Sequence, residues 1–498
     1  MTKSLRRIVW WAIVVSLAAG AGALWAPLPL PAAEAGGADS ARVRVQPQAE
    51  QGSKRPNILY IFTDQQHAGM LSCAGNKYLR TPAMDSLARS GMRFQRAYCS
   101  NPVCVPSRFT MMTGLMPSRI GMESNEDSPK VKVSDAILRQ SLGCIFRSAG
   151  YKTAYGGKVH LPMSLRSIGF EPIARDERSG LADACVEFLR KKRDKPFLLV
   201  ASFINPHDIC YMAINDHAEK TGGRLLGGVE RRYLAEALAL PQEISRDEFF
   251  RTVCPPPPDN YGIPPLEPEG VTKILDLRPF RPWVRQHWTD PQWRLHRWAY
   301  CRLTERVDVE IGKVLQALRD TGLEDNTLVV FSSDHGDMDA SHRMEHKSVL
   351  YEEATRVPLI ISFKGSTKPG RVDDRHLVSN GLDLIPTLCD YAGIAPPEGL
   401  LGRSLKGLAE GREPDGWREY VAVETQYGRT LRSGRYKYNL YDSGKHREQL
   451  IDLEKDPGEM TNLAQTPECR EILDNHRKML RRWVEQNHDE LAKRYLAP

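Results

Sequence analysis

The chain has 498 residues, of which 41% are hydrophobic and 26% are charged, and its formal net charge is +7. This composition is that of an ordinary globular protein and excludes a disordered or fibrous one, and at this length we expect one large domain with a smaller companion. The mild positive charge is compatible with an anionic substrate, but no run of five basic residues is present, so we expect no nucleic acid partner.

The N-terminal segment is typical of a secretory signal peptide. Basic residues precede an apolar run over residues 8–24, and small residues near Ala33 offer a cleavage site. An uncleaved membrane anchor is the alternative, because the run is nearly long enough to span a bilayer. We expect a signal peptide over residues 1–35, a polar linker over 36–54, and export to the periplasm or the extracellular space.

Three continuous apolar runs predict buried parallel strands. They cover residues 56–64, 197–203 and 327–333, and polar side chains stand at or just after their carboxyl ends: Asp64, Asn205, His207, Asp334 and His335. Helical patterns lie between the runs, over residues 81–91, 181–190 and 299–320. This alternation predicts an α/β fold with a mostly parallel sheet sandwiched by helices, and the polar residues should meet at one sheet edge.

The pattern of predicted secondary structure changes near residue 414. Short strand-like pieces over 420–424, 429–432 and 436–440 precede a helical pattern over 467–491. We therefore predict a catalytic domain over residues 55–412 and a smaller C-terminal α+β domain over 413–498. The proline-rich segment 254–268 predicts a surface loop.

Four tryptophans recur every five residues in an insertion before the helical pattern at 299–320: Trp283, Trp288, Trp293 and Trp298. A spacing of five does not place them on one helical face. They either stack on sugar rings of a substrate or pack as a loop against the main domain.

The sharpest motif is Cys104-Val105-Pro106-Ser107-Arg108, with Thr113 and Gly114 shortly after it. Alone, it is compatible with a buried cysteine at a loop-to-helix junction. It resembles the modification motif of the sulfatase family, in which a formylglycine-generating enzyme oxidises the cysteine to formylglycine. We therefore expect that enzyme as a partner during maturation, and of the ten cysteines nine would then remain, at least one of them unpaired.

The resemblance to sulfatases covers residues 56–464 in the family's order. Its parts are residues 57–65, Gly157-Lys158-Val159-His160, Asn205-Pro206-His207, Ser333-Asp334-His335-Gly336-Asp337, Lys347, and the closing segment 452–459 with Asn462-Leu463. Sulfatases belong to the alkaline-phosphatase-like superfamily, so the resemblance implies the same α/β fold as the strand pattern. It also implies a sulfuric ester hydrolase.

The resemblance further implies a divalent metal. Its ligands would be Asp64, Gln65, Asp334, His335 and the modified Cys104. Calcium is the first choice because hard cations prefer oxygen ligands, and the histidine also suits manganese or zinc. Many relatives have Asp at the position of Gln65, so the metal site of this chain has one negative charge fewer than theirs. Taken alone, Asp334 and His335 are also compatible with a helix cap.

The family mechanism uses the two hydroxyls of the hydrated formylglycine: one attacks sulfur and the other then expels sulfate. By motif position, Arg108 stabilises the formylglycine, and Lys158 and Lys347 hold sulfate oxygens. His207 protonates the leaving alcohol and His160 accepts a proton in the elimination step. His342 is assigned to the wall of the substrate pocket.

Two other functions remain open from the sequence. A phosphonate or phosphate ester hydrolase of the same superfamily would hold a similar tetrahedral group with the same residues. A non-catalytic binder of sulfated glycans is a second alternative, although the intact Cys104 and Arg108 disfavour it. Within the sulfatase interpretation we expect a sulfated carbohydrate, with choline sulfate and aryl sulfates as alternatives.

Overall fold

The computed structural model describes residues 55–496, so the predicted signal peptide and linker lie outside the described residues. The described part contains fourteen strands. In chain order they are β1 (Asn57–Asp64), β2 (Met92–Phe94), β3 (Ala97–Tyr98), β4 (Lys152–Gly157), β5 (Glu171–Ala174), β6 (Phe197–Pro206), β7 (Thr327–Ser333), β8 (Leu359–Ser362), β9 (Arg371–Asp373), β10 (Val378–Ser379), β11 (Tyr420–Thr425), β12 (Gly428–Ser433), β13 (Tyr436–Tyr441) and β14 (Glu448–Asp452).

Sixteen α-helices accompany the strands in the same part of the chain. They are α1 (Pro82–Ser90), α2 (Cys104–Thr113), α3 (Asp135–Arg139), α4 (Leu142–Ser148), α5 (Ser179–Arg190), α6 (Cys210–Thr221), α7 (Val229–Leu238), α8 (Arg246–Glu248), α9 (Glu269–Asp276), α10 (Phe280–His287), α11 (Asp290–Asp320), α12 (Glu352–Thr355), α13 (Leu384–Ala392), α14 (Lys406–Ala409), α15 (Arg470–Asn487) and α16 (Glu490–Tyr495).

The main sheet has eight strands in the order β5-β4-β6-β1-β7-β8-β2-β9. The five strands from β5 to β7 run parallel to one another. Strand β8 is antiparallel to both of its neighbours, and β9 pairs parallel with β2. The predicted mostly parallel sheet is confirmed.

Strand β1 shows why its sequence is apolar without alternation. Ile58, Tyr60 and Phe62 point into the core on one face of the sheet, and Leu59 and Ile61 point into the core on the other. All five side chains are fully buried. A central strand covered by helices on both faces needs apolar residues at every position, as the run predicted.

The register of the central strands sets the position of the site. In β1, Thr63 is paired with Ser333 of β7, and Asp64 is paired with Pro206 of β6. The residues that follow these strands therefore meet at the carboxyl edge of the parallel sheet, where α/β proteins place their sites.

The C-terminal region is a four-stranded antiparallel meander, β11-β12-β13-β14, with α15 packed on it. This confirms the smaller α+β unit; the exact domain boundaries remain a prediction. Lys437 of β13 is fully buried, and its Nζ lies 3.1 Å from Glu352 Oε1 and 2.9 Å from Glu459 Oε1. Strand β14 was not predicted, because its five residues carry polar groups at both ends.

The tryptophan insertion corrects the sequence interpretation. The last long helix of the catalytic part begins at Asp290 rather than at residue 299, so Trp293 and Trp298 are helical. Trp288 and Trp293 are buried against each other with ring centroids 4.8 Å apart, and Trp288 Nε1 donates to Asp216 Oδ2 at 2.6 Å. These contacts support the packing interpretation over sugar stacking.

The segment 254–268 has no regular structure, as predicted, although Asn260 within it is buried. None of the ten cysteines, all of which lie in the described part, forms a disulfide. Among residues 55–496, no helix has both the length and the apolar character needed to cross a membrane.

Candidate active site

The centre of the site is the thiol of Cys104, the first residue of α2. Its Sγ lies 3.1 Å from Lys347 Nζ and 3.2 Å from His335 Nε2. Asp64 Oδ1 is 3.7 Å away and Lys158 Nζ 3.8 Å away. Only 1% of Cys104 is exposed, so these groups surround it closely.

Local sequence explains why α2 begins at Cys104. The preceding Val103 has extended backbone angles, and Pro106 stands in the first turn, where a missing N–H is tolerated. The helix ends at Thr113 and is capped by Gly114, whose φ of 69° suits a residue without a side chain. Residue 104 is thus held at a helix N-terminus, where a negative group is favoured.

Arg108 lies behind the thiol and holds both carboxylates of the site. Its Nε donates to Asp334 Oδ2 at 2.7 Å and its Nη2 donates to Asp64 Oδ2 at 2.9 Å. Its Nη1 donates to the carbonyl of Lys158 and to Ser202 Oγ, both at 2.8 Å. With these bonds made, the evident role of Arg108 is to position the acids, and a contact with a modified residue 104 remains a prediction.

Asp64 and Asp334 experience opposite electrostatic environments. Burial raises the pKa of Asp64, but Lys158, His207 and Lys347 outweigh burial and hold it well below its usual range. Burial, together with the charge of Asp64, raises the pKa of Asp334 to about 6. Two carboxylates this close to each other are both ionised only when positive charge lies nearby.

The thiol of Cys104 lies in the same positive electrostatic field. Burial and the carboxylate of Asp64 raise the pKa of the Cys104 thiol. The positive charges of Lys158, Lys347 and His335 lower this pKa by more, so it lies well below its usual range. A group with a negative charge at this position is therefore stabilised by the surrounding cations. A sulfuryl group would meet the same field.

The donor set fits the divalent metal that the resemblance implies. Ligand atoms of Asp64, Cys104, Asp334 and His335 all lie within 4.8 Å of one another, and all four residues are buried. His335 Nδ1 is 2.9 Å from the carbonyl of Gly336, which leaves Nε2 directed toward Cys104 and the acids. This backbone contact fixes the ring orientation that a metal ligand needs.

Gln65 contributes an amide oxygen to the same place. Its Nε2 donates to Asp337 Oδ2 at 2.6 Å, and its Oε1 accepts from Lys347 Nζ at 2.8 Å. Asp337 therefore sets which way the amide points. Sequence reasoning did not give Asp337 a role, although it stands in the motif of residues 333–337.

A cavity of about 370 Å³ opens at Cys104 and Lys347. This is within the usual range for a small-molecule site, about 300–1,000 Å³. His207 and His160 line it as well; His207 is largely buried, whereas His160 is exposed. Burial, Lys158 and Lys347 lower the pKa of His207 well below its usual range, so the free protein holds this imidazole neutral.

The structure thus brings together every predicted site residue, with one correction outside that set. His342 does not line the cavity. It is buried and stacks on Tyr351 at 4.0 Å between ring centroids, because the backbone turns at His342 with φ of 54°. The tryptophans of the insertion are also absent from the cavity lining in the described part.

Two family profiles match the chain. The profile described as Sulfatase matches residues 56–394, and the profile described as N-sulphoglucosamine sulphohydrolase, C-terminal, matches residues 340–486.

Individual proteins agree with the profiles. The Delta 4,5-hexuronate-2-O-sulfatase of Bacteroides thetaiotaomicron is 31% identical over 468 residues, covering 89% of this chain and 91% of that protein. The arylsulfatase of Clostridium perfringens is 28% identical over 469 residues, covering 86% and 94%. The solved structure of a 2-O GAG sulfatase superposes with a TM-score of 0.74 at 30% identity, covering 88% of this chain and 94% of that one.

Proposed function

This chain belongs to the sulfatase family, whose members are sulfuric ester hydrolases, and from that premise we propose that it cleaves sulfate esters of carbohydrates at residue 104. The observation that carries the proposal is the set of cationic and metal-ligating groups within 3.8 Å of Cys104 Sγ: Lys347, His335, Lys158 and Asp64. A sulfate ester at this point is held by charge from several directions.

In this proposal Asp64, Gln65, Asp334 and His335 hold a divalent cation, with calcium as the first choice. When bound, such a cation neutralises negative charge on sulfuryl oxygens and polarises the sulfur. Arg108 keeps the two carboxylates in place, and Asp337 keeps the amide oxygen of Gln65 turned toward the site.

Conversion of Cys104 to formylglycine supplies a hydrated aldehyde, whose two hydroxyls on one carbon serve for attack on sulfur and for its later release. Lys158 and Lys347 then bind sulfuryl oxygens from two sides, since both ammonium groups already lie against residue 104. His160, exposed beside the cavity, accepts a proton in the release step.

His207 gives its proton to the leaving alcohol. In the free protein Lys158 and Lys347 help to keep this imidazole neutral. A sulfate bound between the two lysines offsets their charge, so substrate binding raises the pKa of His207 toward the range in which it carries the proton. The acid is thereby charged only when the substrate is in place.

The choice of carbohydrate esters rests on the relatives and on the cavity. The hexuronate sulfatase and the GAG sulfatase structure are both named for carbohydrate substrates. The cavity of about 370 Å³ has the size of a small-molecule site and is lined by both polar and apolar residues. Export through the segment 1–35, and oxidation of Cys104 by a formylglycine-generating enzyme, complete the proposal.

Peptide mass spectrometry and kinetics test the nucleophile. We expect the tryptic peptide that contains residue 104 to carry an aldehyde in place of the thiol when the protein is made in a host with the modifying enzyme. Cys104→Ala should lose turnover of 4-nitrophenyl sulfate, whereas the matched Cys99→Ala variant should keep it, because Cys99 is buried outside the motif. Full turnover in Cys104→Ala would contradict the proposal.

A side-by-side assay tests the type of ester. We expect hydrolysis of sulfate monoesters to exceed that of a phosphonate monoester by orders of magnitude in kcat/KM. The reverse preference would favour the phosphonate hydrolase alternative. An unmodified Cys104 in protein from the native host, together with tight binding of sulfated glycans without turnover, would favour the non-catalytic binder.

A further inference from the structure

The wall of the cavity beside Lys347 contains a buried arginine that the proposed mechanism does not use. Arg281 belongs to α10, lines the cavity and is only 6% exposed. Its Nη1 donates to the carbonyl of Ile274 at 3.0 Å, and its Nη2 donates to Ser348 Oγ at 3.4 Å. Its Nε has no acceptor within the described part of the chain.

No carboxylate of residues 55–496 lies within 4.0 Å of the guanidinium nitrogens of Arg281. A buried charge without an ion pair is costly, because it has lost its hydration without a replacement. Burial accordingly lowers the pKa of Arg281 to about 10. The residue remains charged at neutral pH. Nη1 and Nη2 each make one hydrogen bond in the described part, which leaves one N–H on each for an anion in the cavity.

The other lysines and arginines that line the cavity are already paired. Lys347 lies 3.8 Å from Asp64, and Lys130 lies 3.6 Å from Asp127. Arg278 forms an ion pair with Glu126. Among the lysines and arginines of residues 55–496 that line the cavity, Arg281 alone has no ion pair.

Glu345 is the carboxyl whose charge most favours the protonated form of Arg281. It is 3% exposed, and burial together with Asp337 raises its pKa to about 8. At neutral pH the carboxyl of Glu345 is therefore mostly protonated and carries little charge. An external anion would be a better partner for Arg281.

The position of Arg281 suits the same small substrate that reaches residue 104. Ser348, which accepts from Arg281, directly follows Lys347, whose Nζ contacts Cys104 Sγ at 3.1 Å. The backbone N–H of Ser348 donates to the carbonyl of Pro102 at 3.0 Å, which ties this wall to the segment that leads into α2. Cys104, Arg281 and Ser348 all line the same cavity of about 370 Å³, so one small substrate can reach them together.

We propose that Arg281 and Ser348 form a second anion subsite, which binds a carboxylate or a further sulfate carried by the same carbohydrate as the reacting ester. The subsite rests on the proposed sulfatase function and narrows it to substrates with at least two anionic groups. The planar guanidinium fork favours an oxyanion with two oxygens available, and the hydroxyl of Ser348 adds a third donor.

The test compares three substrates with the reacting ester at one position. They are a glucose monosulfate, the glucuronic acid sulfate and a glucose disulfate, with the common ester at O2 or O3, because C6 of glucuronic acid is the carboxyl carbon. The readout is the ratio of kcat/KM for a doubly anionic substrate to kcat/KM for the glucose monosulfate. We expect this ratio to be roughly 10 to 100 in the wild-type protein.

Arg281→Met should bring the ratio close to one, and Arg281→Lys should give an intermediate ratio, because it keeps the charge and loses the fork. Arg278→Met is the matched control: it removes an arginine of the same cavity that is already paired, and the ratio should stay as in the wild type. A larger ratio for glucuronic acid sulfate identifies a carboxylate subsite, and a larger ratio for the disulfate identifies a sulfate subsite.

The wild-type protein alone can overturn the inference, even if Arg281→Met fails to fold. Equal kcat/KM for all three substrates removes the second subsite and leaves the sulfatase function intact. Turnover of 4-nitrophenyl sulfate without turnover of any sugar sulfate removes the carbohydrate proposal and the subsite with it. Equal losses on all substrates in Arg281→Met would assign Arg281 a purely structural role.

Discussion

The buried charges around Cys104 and those around Lys437 are balanced in different ways. Lys437 lies between Glu352 and Glu459 within 3.1 Å, and none of the three lines the cavity. Around Cys104 the ammonium groups of Lys158 and Lys347 instead converge on a side chain that opens to the cavity. The first cluster is complete within the protein. In the second, Lys158 is paired with Asp64 at 2.7 Å, but both lysines also contact residue 104, which borders the cavity and can present them to an anion.

This difference separates two uses of buried charge. A closed cluster should matter for stability and hardly at all for turnover, because its charges are neutralised before any ligand arrives. An open cluster should matter for turnover far more than for stability, because its lysines also act on the ligand that enters the cavity. Variants of Lys437 and Lys347 test this contrast, and a variant of Glu345 tests the buried carboxyl that acts on Arg281.

Replacing Lys437 with Met should have the largest effect. The change leaves Glu352 and Glu459 buried without their shared cation, and such a loss costs about 3–5 kcal/mol of unfolding free energy. Chemical denaturation measures this loss, and kcat at low temperature should stay near the wild-type value. The exposed Lys493→Met variant is the control and should cost at most about 1 kcal/mol. A kcat that collapses in folded Lys437→Met would break the contrast.

Replacing Lys347 with Ala should have the opposite signature. Removing one donor to the charge of the transition state lowers kcat roughly 10²- to 10³-fold. The thermal unfolding midpoint should change little by comparison, since the ammonium group faces the cavity. Lys130→Ala removes a lysine of the same cavity that is 71% exposed, and its kcat/KM should stay within roughly fivefold of the wild type. Undiminished turnover in Lys347→Ala would remove this lysine from the mechanism.

Glu345 gives the smallest effect and a pH-dependent one. Its folded-state pKa of about 8 exceeds its ordinary value of 4.5, so the folded protein holds the proton more tightly than the unfolded chain. The stabilisation is complete below pH 4.5 and is lost as the pH rises to about 8, by roughly 1.4 kcal/mol per pH unit. Denaturation at pH 6 and pH 7 should show this contribution as the difference in slope between the wild-type protein and Glu345→Gln, because Glu424 and Glu459 also have raised pKa values, of about 8 and about 7.

Glu345→Gln should flatten that slope, because the amide imitates the protonated acid at every pH. The exposed Glu243→Gln variant should keep the slope of the wild-type protein. An unchanged slope in Glu345→Gln would mean that this carboxyl is ionised in the folded state, and Arg281 would then have an internal partner after all.

The sequence predicted the parts of the site that depend on strand ends and motifs. Asp64 and Asp334 follow from continuous apolar runs, because parallel strands must end at a common edge. Lys158 and His207 follow from motif position. These features are local along the chain, so pattern and resemblance suffice for them.

Features that depend on long-range packing were missed. The isolation of Arg281 depends on burial by α9 and α10 and on Ser348, which lies 67 residues further along the chain. His342 was assigned to the pocket wall because local sequence does not tell which way a residue with positive φ faces. The burial of Trp293 similarly depends on its packing against Trp288.

The burial of α2 sets the order of oxidation and folding in the proposed function. All ten residues of this helix are buried, and the thiol of Cys104 is only 1% exposed. A second enzyme cannot enclose a side chain that the finished fold already covers. Under the proposed function, oxidation of residue 104 therefore comes first, on a newly made chain, and folding follows.

The C-terminal region supplies a further part of the cavity wall, which forms late in synthesis. Thr425 and Gln426, at the turn between β11 and β12, line the cavity and reach it only after more than 300 residues beyond α2 have been synthesised. If the proposed function holds, protein that folds with an intact thiol stays immature, and we expect no rescue when the oxidising enzyme is added afterwards.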